Sequence, residues 1–340
     1  MLRPTTKDLA KVAGVSRATV DRVLNGRDGV KQATVDRVNT AIEQLGFLRN
    51  ISAANLAKSR IYRFLFVLPR SGDQFLAEIL RHIGEARSAF AAEMVAATVQ
   101  HVDENDPHGI AAFLAGLTTD DAEGVAIMAP ETPQVRDAII RLEERGVRAL
   151  PFISDQSLVS REWVGIDNRA AGRTAATLLG RFVHAAGGKV LVISETMQAR
   201  DSLDRRNGFD EVLNADFPHL SALPSLETYG SADRARRIIA TALERNPDIV
   251  GVYVLASEAR VPLSILRDLA DPSRQVCIAH ERTPFTEARL RDGTLDAVIT
   301  QDAGHLVRSA IRKLRALSDG VDTLESQEKI RVEILLKSNL

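Results

Sequence analysis

From Tyr62 onward the chain repeats one pattern: a short apolar run of strand length, then a longer segment with helical periodicity. The runs are RFLFVL (63–68), MVAATV (94–99), GVAIMA (124–129), VRALPFI (147–153), WVGI (163–166), KVLVIS (189–194), IVGVYVL (249–255), QVCIAH (275–280) and DAVITQ (296–301). Near-continuous apolar strands separated by helices specify parallel sheets covered on both faces. At 340 residues the chain has room for two such α/β halves and a separate head. Two doubly wound lobes are expected, one over about 62–165 plus 298–320. The other spans about 166–290 plus part of the C-terminus. Ligands of such sheets bind outside the carboxyl ends of the strands, which in a two-lobed body is the cleft between the lobes.

The first sixty residues are different in kind. They hold 11 Lys/Arg against five acidic residues, although the whole chain carries 44 Lys/Arg and 45 Asp/Glu and is nearly neutral. A basic head on a mildly acidic body suggests a module for a polyanion. Thr5 or Thr6 is placed to cap a helix with Asp8 in its first turn. Leu9, Val12 and Ala13 form its apolar stripe, and Gly14 ends it. Ser16 caps a second helix over about Arg17–Asn25, with Val20, Val23 and Leu24 facing the first. A third helix runs from Gln32 to Leu45 on a stripe of Val35, Val38, Ala41, Ile42 and Leu45, and Gly46 stops it. Helix, short glycine turn and helix form the helix-turn-helix layout, in which the second helix enters the major groove. Arg17, Ala18, Asp21 and Arg22 face outward on that helix. An arginine can read guanine through two bonds and an alanine can touch a thymine methyl. Ser16, Thr19 and Asn25 suit phosphates.

Several chemistries lack their signatures. There is no phosphate-binding G-x-x-x-x-G-K-(S/T), no G-x-S-x-G and no His/Cys cluster at metal spacing, so neither enzyme activity nor any cofactor or metal is expected. The single cysteine, Cys277, rules out an internal disulfide and suits a reducing cytoplasm. The start MLRPTTKDLAK has no apolar h-region and there is no 18-residue apolar run, so a cytoplasmic protein with no membrane association is expected.

The segment TTKDLAKVAGVSRATVDRVLNGRDGVKQATVDRVNTAIEQLGF resembles the N-terminal domain of the lactose-repressor (LacI) family of bacterial transcription regulators. Its shared elements are T-x-x-D-(V/L)-A-x-x-A-G-V-S-x-x-T-V, then R-V-L-N, V-x-x-x-T-x-x-x-V and L-G-(Y/F). The resemblance implies a DNA-binding domain over 1–48 contacting DNA through Thr6, Ser16, Arg17, Ala18, Thr19, Asp21, Arg22, Asn25, Arg27 and Thr34. It implies a hinge helix or linker over 49–61, in which Asn50 also meets DNA. Leu56 is there the wedge that enters the minor groove and bends the duplex. The family often has proline where Arg49 stands and arginine where Ala54 stands.

The body, 62–340, resembles the periplasmic sugar-binding proteins of the ribose-binding type, a core that this family shares. The resemblance implies that Phe75 lies against a sugar ring and that Asp155 binds hydroxyls. Gln156 follows where an arginine is common. Arg205, three before Gly208-Phe209, is the clamp, and Gln301 reaches the sugar from a strand end. In Ile278-Ala279-His280-Glu281, either His280 or Glu281 replaces the acceptor of a usual G-(Y/F)-D. The family's A-x-N-D motif is replaced by LASEARVPL, where Ser257, Glu258 or Arg260 takes the asparagine's place. Together these imply a regulator, commonly a repressor, binding pseudo-palindromic double-stranded operator DNA as a homodimer or tetramer. A small effector, a neutral sugar or polyol, would control it allosterically. The alternatives are a plain sugar carrier and a sugar-processing enzyme with a regulatory head.

Overall fold

A computed structural model describes residues 4–24, 28–47, 60–70, 73–156, 162–269 and 275–340. The chain divides into two compact units, Met1–Arg60 and Ile61–Leu340.

The first unit is helical: α1 (Thr6–Ala13), α2 (Arg17–Leu24) and α3 (Gln32–Leu45). Thr5 and Asp8 cap α1 reciprocally: the Thr5 hydroxyl accepts from Asp8 N at 3.3 Å and Thr5 N donates to Asp8 Oδ2 at 2.8 Å. Gly14 at φ +64° and Gly46 at φ +57° end α1 and α3 in left-handed conformation, as their positions predicted. Leu9, Ala10, Ala13, Val20, Val38, Ala41 and Phe47 form the core. Val12 is not part of it. It is 45% exposed, and Ala10 turns inward in its place, because a two-turn helix packed closely on two neighbours has room for small side chains along its seam.

The second unit contains two sheets. The first lobe has strands β1 (Tyr62–Pro69), β2 (Val95–Val102), β3 (Gly124–Ile127) and β4 (Arg148–Pro151), with helices α4 (Gln74–Ala89), α5 (Pro107–Gly116) and α6 (Pro133–Glu144). Its order is β2-β1-β3-β4, all parallel. The second lobe has helices α7 (Asn168–Phe182), α8 (Arg200–Asp216), α9 (Ala232–Arg245), α10 (Arg260–Leu269) and α11 (Pro284–Asp292). Its strands are β5 (Gly188–Ser194), β6 (Leu220–Ala222), β7 (Leu226–Glu227), β8 (Ile249–Val254), β9 (Val276–His280), β10 (Ala297–Thr300) and β11 (Glu333–Leu335). The order is β11-β10-β9-β8-β5-β6, with β7 also pairing β5. Only β11 runs antiparallel, at the edge.

Strand alternation sets the layers. Phe64, Phe66 and Leu68 of β1 face one core and Val67 the other; Val190 and Val192 of β5 face one core, and Leu191 and Ile193 the other. Three expectations change. The WVGI segment forms only an isolated bridge, Val164 to Phe152. MVAATV starts pairing at Val95, because Met94 is left-handed at φ +60°. The return to the first lobe comes later than 298. Strand β10 pairs with β9, and both its faces are covered in the second lobe. An apolar run of this kind does not announce which sheet it joins. The return is made by helix α12 (Ala303–Asp319), whose residues pack with β3, β4 and α4.

Candidate functional site

In the head, helix α2 presents Arg17, Ala18, Asp21 and Arg22 as exposed residues, while Val20 is wholly buried. Ser16 holds the start of α2: its Oγ accepts from Thr19 N at 3.1 Å and lies 2.9 Å from the Thr19 hydroxyl. Arg22 is committed on one side, with Nη2 donating to the Asp28 carbonyl at 2.9 Å. It therefore ties α2 to Asp28, a role the sequence did not suggest. Thr6 and Thr34 are half-buried, each in the first turn of its helix. Asn25, Arg27, Asn50 and Leu56 lie outside the described residues, as do Arg49 and Ala54. The head thus carries exposed hydrogen-bonding groups along one helix of a helix-turn-helix.

In the body, the carboxyl ends of the strands gather a buried polar cluster. Arg205, one turn into α8, is 3% exposed. Its Nε donates to Asn168 Oδ1 at 2.8 Å, Nη1 to the Leu255 carbonyl at 2.9 Å and Nη2 to Glu281 Oε1 at 3.2 Å. Gln301 Nε2 donates to the same Glu281 oxygen at 3.1 Å. Glu281 follows β9 in left-handed conformation, φ +64°. That conformation costs a non-glycine residue about 1–2 kcal/mol and turns its side chain away from the strand's alternation. Burial pushes its carboxyl up to about 7 against the pull of Arg205. A buried ion pair of this kind adds little net stability, because desolvation costs several kcal/mol per ion. The pair's place at the strand ends points to a ligand instead.

Of the two candidates at 280 and 281, the structure brings only Glu281 to the cluster. His280 is fully buried in the sheet, with Nε2 2.8 Å from the Tyr253 hydroxyl, and burial keeps its ring well below the usual histidine range. Gln156 is wholly buried at the end of the first lobe's sheet, and its Nε2 donates to the Ala129 carbonyl at 2.9 Å. Asp155 beside it is half-buried and within electrostatic reach of Arg200. Phe75 is 3% exposed and belongs to the core. Glu258 pairs with Arg260 at 2.8 Å, while Ser257 donates across the lobes to Asp73 Oδ2 at 2.6 Å.

Sequence reading missed Asn168 and Asp73. Asp73 caps α4, accepting from Phe75 N at 2.7 Å, and an aspartate just before a helical run was its available signal. Asn168 follows the capping Asp167 in the same way. A cavity of about 850 Å³ lies elsewhere, lined by Phe182, His184, Val250, Asp296 and Lys337 among others. It holds none of this cluster.

A helix-turn-helix unit with a two-lobed binding-protein unit defines a one-component, ligand-responsive transcription regulator. Residues 5–50 match the lacI family of bacterial regulatory proteins, and residues 64–322 match the periplasmic binding protein domain family. The HTH-type transcriptional regulator CelR of Thermobifida fusca is 30% identical over 286 residues, covering 81% of this chain and 79% of that one. The regulator DegA of Bacillus subtilis is 23% identical over 292 residues, 84% of each chain. Among solved structures, the glucose-galactose binding protein GanP of Geobacillus stearothermophilus superposes with a TM-score of 0.72 at 16% identity, covering 83% of this chain and 99% of that one. A LacI transcriptional regulator described as putative, from Bacteroides fragilis, superposes at 0.70 with 18% identity over 82% and 98%. The chain belongs to the lacI family and is a DNA-binding transcriptional regulator. Among the described residues no helix is long and apolar enough to cross a membrane.

Proposed function

We propose that the protein represses transcription as a homodimer on a pseudo-palindromic operator, and that a polyhydroxylated effector bound between its lobes sets its operator affinity. The observation that carries this reading is the buried Arg205–Glu281–Gln301 cluster, within electrostatic reach of Asp73, which accepts the cross-lobe bond from Ser257. Planar groups that bond in pairs suit vicinal hydroxyls, and a buried polar set of this kind rejects analogues that leave it unpaired. Gln156 from the first lobe and Glu281 from the second give one ligand a hold on both. The likeness to the glucose-galactose binding protein GanP agrees with a sugar-class effector.

Lobe opening separates Ser257 from Asp73, and Gln74 Oε1 from the Phe285 N–H that it accepts at 3.4 Å. A ligand that binds the two arrangements unequally shifts the equilibrium by that difference, typically 1–3 kcal/mol. In a dimer the shift alters the spacing of the paired heads. Regulation without catalysis returns the effector unchanged after incubation.

The test is a thermal-shift screen over pentoses, hexoses, inositols and their phosphates, since a ligand of the folded state raises the melting point by mass action. A rise with one sugar or polyol, lost in Arg205→Ala, is expected. A rise with phosphates alone contradicts the reading.

A further inference from the structure

The hydrogen-bond accounting of the cluster is one-sided. Gln301 turns its amide nitrogen to Glu281, and Gln156 turns its nitrogen to the Ala129 carbonyl. The Gln156 orientation is forced, because a carbonyl can only accept, and the Gln301 orientation holds while Glu281 is ionised. The atoms left over are Gln301 Oε1, Gln156 Oε1 and Glu281 Oε2, all buried and without a hydrogen-bond partner among the described residues. The two glutamine oxygens can only accept, and so can Glu281 Oε2 when the carboxyl is ionised. An unsatisfied buried acceptor costs about 1–3 kcal/mol, so the cluster calls for a ligand that donates.

The charge around the cluster has the same sense. Asp73 faces Glu281 across the lobes closely enough to raise its carboxyl further, and Asp73 and Glu258 do the same to Glu195, which follows β5. Burial holds the Asp73 carboxyl above the usual range as well. Three nearby arginines are paired: Arg205 with Glu281, Arg260 with Glu258, and Arg200 with Glu131 and Asp204 at 3.5 and 2.9 Å. Arg136 lies 3.9 Å from the same Glu131, and its buried Nε has no hydrogen-bond partner among the described residues. Among the described residues no ion pair or hydrogen bond meets the Glu195 carboxylate, whose surroundings are acidic.

We infer that the cleft selects a polyhydroxylated ligand bearing a protonated amine, an amino sugar or amino polyol, over the neutral parent. The inference rests on the cleft reading above and replaces the neutral effector suggested by the sequence. An ammonium group donates three hydrogen bonds and neutralises charge shared by Asp73, Glu195 and Glu281. The hydroxyls donate to the two glutamine oxygens. A sugar acid or phosphate instead adds negative charge to a site already crowded with carboxylates.

The test is isothermal titration of the full-length protein at pH 7 with matched pairs: glucosamine and glucose, galactosamine and galactose, mannosamine and mannose, glucamine and sorbitol. At least one amine is expected to bind tenfold or more tightly than its neutral partner. Asp73→Asn, which retains a capping side chain, is expected to bring the two within about threefold of each other while the melting curve stays cooperative. Equal or tighter binding of the neutral partner overturns this inference and leaves the cleft reading standing. An amine preference that survives Asp73→Asn combined with Glu195→Gln overturns the assignment to these carboxylates. Binding by no member of the panel contradicts both readings.

Discussion

Gly172 of α7 lies so close to Arg205 of α8 that a Cβ on the glycine would stand 1.9 Å from the Arg205 carbonyl oxygen. The contact is reciprocated, since a Cβ on Gly208 would stand 2.0 Å from the Arg169 carbonyl. Two glycines therefore let two helix backbones touch, and the touching turn is the one that carries the guanidinium. Neither glycine has a positive φ, so their requirement is one of space alone.

Gly172→Ala and Gly208→Ala should each force the helices apart. The expected cost is about 1–3 kcal/mol, the range for overpacking a tight contact, together with loss of effector binding as Arg205 moves. Urea unfolding and a ligand thermal shift measure the two effects. A variant that is destabilised yet binds effector normally would separate the helix crossing from the site.

Arg205→Ala removes one partner of a buried pair and should cost about 3–5 kcal/mol. The double variant Arg205→Met/Glu281→Leu should regain most of that, because an apolar pair fits a buried position without desolvated charge. Neither variant should respond to effector. Denaturant melts of the wild type, the single and the double variant check the cycle; a double variant as unstable as the single would show the pair to be needed by the fold.

Glu281 predicts a pH dependence. Its carboxyl is held at about 7 in the folded protein against an ordinary 4.5. The folded state thus binds this proton more tightly than the unfolded state. The stability it lends is complete below about pH 4.5 and is lost as pH rises through 7, by about 3 kcal/mol on the linkage relation. Glu281→Gln should flatten the curve across that window. Melting curves of both proteins from pH 5 to pH 8 test this, and parallel curves would mean that the carboxyl titrates normally.

Cys277 is 4% exposed in β9, and burial pushes its thiol up to about 12. A thiolate is the reactive form. Labelling with a disulfide reagent at pH 8 should therefore be negligible in the native protein and complete in denaturant. Rapid native labelling would contradict the strand assignment.

Legibility followed range. The head is written in local signals: Gly14, Gly46, the Thr5–Asp8 capping pair and an apolar stripe each act within a few residues. Val12 was misread because periodicity cannot tell which of two nearby apolar positions, Ala10 or Val12, a neighbour leaves room for. In the body, the strands were readable as apolar runs, but β10 could not be assigned to a sheet, since membership is decided by partners far away in sequence. Arg205 and Gln301 were named through resemblance, and Glu281 only as an alternative to His280. Two features stayed hidden. The left-handed Glu281 carries no glycine to announce it, and Ser257 meets Asp73 across 184 residues.

The central claim is that occupancy of the cleft changes operator affinity, and one measurement tests it directly. A duplex selected from random DNA by the full-length protein is titrated by fluorescence anisotropy over a range of salt, with and without saturating effector identified by thermal shift. The account predicts affinity that falls steeply with salt, as phosphate contacts by Lys and Arg require, and that changes at least fivefold when effector is added. An affinity unaltered by saturating effector would contradict it.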